Sequence, residues 1–261
     1  MRYLLKPLQL IYTVYALLMF VALMVPIFIW SVCVIPFGRI KGGNLVYKGC
    51  IAWSDAWLFL IFIRHRNIYL QKLRKGQSYI FVSNHISYLD AAILPQVVRR
   101  PVRPLGKIEM TRIPVFGFIY RNAIVTVDRS SAAHRAKSVA ILKSIINKGI
   151  SVFVFPEGTF NLTHHPLKDF YDGAFRIAIE SGTPIKPLIL LDTYNRLHYK
   201  SVFSLNPGIS RAVFLPEVSV KGLTMDDVKK LKQEVYSRME GALIQYKASW
   251  IRTAEPADFS K

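Results

Sequence analysis

Residues 8–37 carry no charged side chain, and this run (LQLIYTVYALLMFVALMVPIFIWSVCVIPF) sets the first constraint on the fold. As one helix it would reach roughly 45 Å at about 1.5 Å per residue. The hydrocarbon core of a bilayer is only about 30 Å thick. The run is therefore too long for one upright span and too short for two. Pro26 interrupts it and Pro36 ends it. Either the part before Pro26 spans alone, or the chain bends at Pro26 and returns to the face it came from. Basic residues flank both ends, Arg2 and Lys6 before, Arg39, Lys41 and Lys48 after. The one-sided positive charge that orients a span is thus missing. Both ends on one anionic leaflet is the simpler arrangement, which favours monotopic attachment. The run is too long for a secretory signal and lacks a small-residue cleavage site.

A second apolar piece covers residues 50–63 (CIAWSDAWLFLIFI) and is short for a span. Trp53 and Trp57 lie one helical turn apart, which suits the headgroup level of a membrane. The expectation is an interfacial helix that completes a two-helix anchor over residues 1–63. The alternative is a helix covered by the globular domain.

The rest of the composition narrows the class. The chain of 261 residues is 52% hydrophobic, yet 35 Lys+Arg against 16 Asp+Glu leave it at +19. High hydrophobicity excludes disorder, and long charged stretches exclude a many-span transporter. A globular domain with a membrane attachment and a cationic face fits both facts. Two cysteines, Cys33 and Cys50, make no disulfide scaffold. No Cys/His spacing resembles a zinc site, so no metal is expected. No helix-turn-helix, zinc finger or aromatic-basic sheet motif accompanies the charge, so no nucleic-acid partner is expected. A basic peripheral membrane protein without activity would use the anchor and the charge, but would leave the polar clusters below unexplained.

From residue 64 short β-rich runs alternate with helical ones. Strands are expected at 78–82, 101–105, 123–127, 151–155, 185–190, 201–205 and 212–220. Helices are expected at 88–98, 113–120, 131–148 and 173–181, with a closing helix at 224–249 capped by Thr224. The alternation argues an α/β sheet covered by helices over residues 64–250, with a tail at 251–261.

Three polar clusters follow strand ends, where α/β folds place their sites. In Asn84-His85-Ile86-Ser87-Tyr88-Leu89-Asp90, a loop that turns into a helix can bring Asp90 beneath the His85 ring. A carboxylate on one imidazole nitrogen leaves the other as a base. By itself the spacing is equally an N-cap with an incidental histidine. In Phe155-Pro156-Glu157-Gly158-Thr159, a turn with a carboxylate and free amides can hold a polar headgroup. In Val127-Asp128-Arg129, the guanidinium can fork onto a phosphate or carboxylate, and Lys107 sits at a similar strand end.

NHISYLD, VDR, FPEGT and PIKPL, in that order behind an apolar N-terminus, resemble the 1-acylglycerol-3-phosphate acyltransferases, the PlsC-like glycerolipid acyltransferase family. The motifs match from about 78 to 190. The resemblance implies a central mixed sheet covered by helices and a two-helix membrane anchor. It implies that His85 is the base and Asp90 its partner. Asn84 and Ser87 match the same block and become candidate substrate-binding residues, with Lys107, Arg129, Glu157, Gly158 and Thr159. The implied reaction transfers an acyl group from acyl-CoA or acyl carrier protein to the hydroxyl of 1-acylglycerol-3-phosphate, with no bound cofactor. Membrane lipids and an anionic leaflet are the implied partners, with the site at the cytoplasmic face. Amides near 85–90 or 157–159 would hold the oxyanion. Two positions depart from the family pattern. Family members often carry Arg directly after Glu-Gly-Thr, where this chain has Phe160, and Gly where it has Ala123. Lys107, Lys168, Arg176 or Lys186 could compensate for the arginine, as could an acceptor with a carboxylate headgroup, a lyso-aminolipid.

Overall fold

The computed structural model describes residues 2–127 and 132–252. Two helices lead the chain, α1 (Arg2–Val34) and α2 (Gly43–Leu60). There follow β1 (Ile63–Tyr69), β2 (Ile80–Ser83), α3 (Leu89–Val97), β3 (Val102–Lys107), α4 (Phe116–Ala123) and β4 (Val125–Val127). The second half comprises α5 (Ala132–Ile146), β5 (Ser151–Val154), α6 (Gly173–Ser181), β6 (Ile185–Leu190), α7 (Thr193–Arg196), β7 (Gly208–Phe214) and α8 (Val228–Gln245).

Among the described residues these strands form one seven-stranded sheet, ordered β1-β7-β6-β2-β5-β3-β4. β6 and β7 pair antiparallel and the other neighbours pair parallel, so the sheet is mixed. β2, β5 and β6 are buried along their whole length, which is why they read as continuous apolar runs. Alternation within them divides two cores. Ile80, Val82, Val152 and Val154 face one side, with Phe175 of α6 and Val235 of α8. Phe81 and Phe153 face the other, with Leu89 of α3 and Trp57 of α2. The β2-to-β3 connection steps one way across the sheet and the β5-to-β6 connection steps back. Right-handed crossovers then place α3 and α6 on opposite faces. The loops after β2 and β5, which lead into the two helices, leave side by side at one edge of the sheet.

The hairpin departs from expectation. α1 runs through Pro26 without interruption. Contacts on both sides of the proline hold its axis. Phe20 packs against Trp53 and Trp57 before it, and Trp30 Nε1 donates to Leu45 O (3.0 Å) after it. The reversal falls at residues 35–42, where Pro36 starts a tight turn and Gly38 takes φ +77°. α2 begins seven residues earlier than expected, through Gly42 and Gly43. A Cβ at Gly42 would stand 2.6 Å from Val34 O, and one at Gly43 2.5 Å from the Arg103 guanidinium. These glycines admit close packing instead of ending the helix.

The Trp53/Trp57 pair packs inward, against Phe20 of α1. The two rings stack on each other at 5.5 Å, and Trp57 is buried with Nε1 donating to Ala16 O (2.9 Å). α2 is thus the covered helix, wedged between α1 and α3, and it donates Tyr47 OH to Val98 O (3.0 Å).

β1 is not legible in the sequence. It is an edge strand paired only with β7, and Arg64 and Arg66 lie on its exposed positions. Charges of this kind protect an edge from further pairing and hide the apolar alternation. The strand expected at 201–205 is a turn, in which the Ser201 and Ser204 hydroxyls accept from the backbone amides of Phe203 and His198. The strand expected at 212–220 starts earlier and ends at Phe214, before Pro216. The closing helix carries a capping box between Thr224 and Asp227.

Candidate active site

The loop after β2 is built by side chains that replace backbone partners. Asn84 Nδ2 donates to Leu190 O (3.0 Å), and Leu190 N–H donates to Asn84 Oδ1 (2.8 Å). This clasp continues the β2–β6 ladder past the end of the strand. Ser87 Oγ accepts from Leu89 N–H (3.0 Å) and donates to Leu197 O. Both residues were expected to bind substrate; their bonds instead shape the loop.

The loop presents the predicted pair. Asp90, in the first turn of α3, is fully buried and its Oδ2 lies 2.9 Å from His85 Nδ1. The same oxygen accepts the amides of Ile86 (2.7 Å) and Ser87 (2.8 Å). The helix N-terminus adds positive potential to a carboxylate already holding three donors. An ionised carboxylate only accepts, so Nδ1 carries the imidazole proton and Nε2 keeps its lone pair. The ring is 19% exposed, and Nε2 has no partner among the described residues. The amides of His85, Ile86 and Ser87 are all engaged, so the 85–87 turn offers no oxyanion donor.

Glu157 arrives from the end of β5. It is 2% exposed, and its two oxygens accept the amides of His85 (2.9 Å) and Lys168 (3.0 Å). Burial pushes its carboxyl up to about 7, against those two bonds. Glu157 is therefore a clasp between the loop after β2 and the loop after β5, not a free headgroup ligand. Gly158 has φ +73°, the left-handed conformation that turns the chain here. Thr159 is exposed, and its Oγ1 accepts from Lys168 Nζ at 2.8 Å. The amides of Thr159 and Phe160 have no partner among the described residues.

Sequence reading missed the aromatic walls. Phe155 stacks on the His85 ring at 4.1 Å, and Phe160 meets it edge-on at 4.4 Å. Asn161 N–H donates to His85 O (2.8 Å), which holds Phe160 there. The available signal was the pair of phenylalanines bounding FPEGTF. Of the remaining candidates, Lys107 is exposed at the end of β3. Lys186 does not reach the site. It lies near the start of β6, roughly 13 Å from the Asn84 end at about 3.3 Å per residue. Its ammonium donates to Gln71 O (3.0 Å) and Oε1 (2.9 Å). Arg129 lies outside the described residues. A cavity of about 640 Å³ opens beside the turn, lined by Glu157, His165, Lys168 and Tyr236 among others.

Comparison with known proteins gives the same frame. A family model described as Acyltransferase matches residues 65–191. The 1-acyl-sn-glycerol-3-phosphate acyltransferase of Salmonella typhimurium is 31% identical over 62% of this chain and 65% of its own length. This chain thus spans just under two thirds of that relative. The enzyme of the same name from Limnanthes douglasii is 30% identical over 78% of this chain and 72% of its own. The crystal structure of the 1-acyl-sn-glycerophosphate (LPA) acyltransferase PlsC from Thermotoga maritima superposes with a TM-score of 0.70. It is 21% identical and covers 97% of this chain and 100% of its own. The two share a fold. With 72% of the Limnanthes sequence matched at 30% identity, this chain belongs to the 1-acyl-sn-glycerol-3-phosphate acyltransferase family.

Proposed function

We propose that the chain is a membrane-associated O-acyltransferase. It moves a fatty acyl group from acyl-CoA or acyl carrier protein to the free hydroxyl of 1-acylglycerol-3-phosphate, giving phosphatidate. The observation that carries this reading is the His85 ring, tied by Nδ1 to buried Asp90 at 2.9 Å with Nε2 open. Nε2 takes the hydroxyl proton as the oxygen attacks the thioester carbonyl. A C–O bond forms, the C–S bond breaks, and the departing thiolate recovers the proton from the imidazolium. Asp90 stabilises that imidazolium while it exists. The unpartnered amides of Thr159 and Phe160 are candidate oxyanion donors. The Phe155 and Phe160 rings keep water away from the base, which favours transfer over hydrolysis.

Residues 1–63 serve as the attachment and residues 64–250 as the acyltransferase domain, at the cytoplasmic face. Leu8, Ile11, Leu18, Val21, Val25 and Ile29 form an exposed apolar stripe at helical spacing along α1. The other face of α1 packs on α2, so the helix lies along the domain, an arrangement suited to in-plane insertion. A second reading, a lyso-aminolipid acceptor, is favoured by Phe160 at the place of the family's arginine. Purified wild type and His85→Ala would be compared for acyl transfer and for liposome binding. The variant should lose transfer and keep binding; near-wild-type transfer would sink the assignment.

A further inference from the structure

The site lacks the cation expected directly after Thr159, because Phe160 turns its ring onto His85 and Tyr88. Four cations could replace it, and the structure separates them. Lys186 is buried away from the site and bonded to Gln71. Lys107 is exposed at the end of β3, and Arg176 is exposed on α6. Lys168 alone of the four is bonded to the 157–159 turn. Its backbone N–H is held by Glu157 Oε2 (3.0 Å) and its ammonium by Thr159 Oγ1 (2.8 Å). The other Glu157 oxygen takes the His85 amide, so the ammonium is referenced through direct bonds to the loop that carries the base.

Lys168 is also outside any close ion pair, although its charge acts on the Glu157 carboxyl. Arg99, Arg211 and Lys232 are paired with Asp55, Asp192 and Asp172. Among the described residues Lys168 has no carboxylate within 4.0 Å, and its partner is a neutral hydroxyl. An incoming oxyanion would displace that hydroxyl without breaking an ion pair, and would gain a charge-assisted bond. Lys168 lines the cavity of about 640 Å³, a volume within the range of small-molecule sites, whose lining also carries the carboxylates of Glu157, Asp169 and Glu240.

We infer that Lys168 is the headgroup-specificity residue of this enzyme: it receives the anionic group of the acceptor, phosphate monoester or carboxylate, in the role left vacant at Phe160. The inference rests on the acyltransferase reading above. The same ammonium chemistry would suit the phosphates of acyl-CoA, so the test must separate acceptor from donor.

Steady-state kinetics of detergent-purified wild type, Lys168→Met and Lys168→Arg would be measured with lysophosphatidate, with a carboxylate-headed lyso-aminolipid and with neutral 1-monoacylglycerol. Acyl-CoA would be varied in a separate series. Loss of one charge-assisted hydrogen bond should raise KM for the preferred anionic acceptor about tenfold to a hundredfold in Lys168→Met. The kcat should stay within about twofold, and KM for 1-monoacylglycerol and for acyl-CoA should not move. Lys168→Arg should restore most of the loss. An unchanged acceptor KM in Lys168→Met, or a rise confined to acyl-CoA, would overturn the inference while leaving the acyltransferase reading intact. Wild-type enzyme that acylates none of the acceptors would sink that reading itself.

Discussion

Replacing Glu157 with glutamine should remove a pH-dependent part of the stability. Burial lifts the Glu157 carboxyl from 4.5 to about 7, and the charge of Asp90 adds to the rise. A carboxyl raised in this way binds its proton more tightly in the folded chain than in the unfolded one. Its stabilising contribution is complete below about 4.5 and is lost as pH climbs through about 7. At about 1.4 kcal/mol per pH unit, the whole window is worth about 3 kcal/mol. Some 2.5 kcal/mol of it, roughly, falls between pH 5 and pH 8. For a chain of this size, about 2–4 °C per kcal/mol converts that to a fall of about 5–10 °C in Tm. Glutamine has no such titration. It has one carbonyl oxygen for two backbone donors, so the amide of His85 or of Lys168 loses its partner. That costs about 1–3 kcal/mol at every pH. Thermal melts of both proteins at pH 5, 6, 7 and 8 should therefore start apart, with the variant lower, and converge or cross by pH 8. Other titrating groups cancel in the comparison. Parallel curves with a constant gap would refute the reasoning, because they would mean that Glu157 ionises in the fold as it does unfolded.

Three further outcomes follow from the geometry. Asp90→Asn keeps the shape but loses the charge that holds the tautomer, so acyl transfer should fall about 10³–10⁴-fold with little change in substrate KM; retention of a tenth of the activity would remove Asp90 from the mechanism. Asn84→Ala leaves the buried N–H and C=O of Leu190 unpaired, and should lower stability by about 2–4 kcal/mol in a denaturant titration; a change under about 0.5 kcal/mol would show that the clasp is dispensable. Leu18→Glu with Val21→Glu places two charges on the exposed stripe of α1. Liposome flotation should show release from anionic vesicles at an unchanged Tm, whereas undiminished flotation would mean that another surface makes the attachment.

Much of the sheet was legible because its central strands are buried on both faces. β6 and α6 fall on their expected bounds, and β2 and β5 lie within a residue or two of theirs. Polar clusters placed after apolar strands located His85, Asp90 and Glu157, since residues that leave the same ends of neighbouring strands converge. Segments whose pattern is set by one neighbour were misread. β1 carries the charges of an edge strand, and 201–205 satisfies its amides with serine hydroxyls instead of a ladder.

The amino-acid sequence by itself determined the apolar entry helix, the alternating α/β frame and the likeness of four motifs to one family. These are properties of residue order and local periodicity. Only the tertiary structure decided what the side chains do. It carried α1 through Pro26 because contacts on both sides outweigh the break. It packed the tryptophan pair against α1 and buried Trp57. It turned Glu157, Asn84 and Ser87 from expected ligands into backbone partners, and it set Phe160 against His85. Lys186, inside a motif, went to the far end of its strand, while Lys168, outside every motif, came to the turn. Partners up to 110 residues apart in the chain meet at this site. A one-dimensional pattern records which residues are present; which oxygen faces which amide is settled only when strands from distant parts of the chain stack side by side.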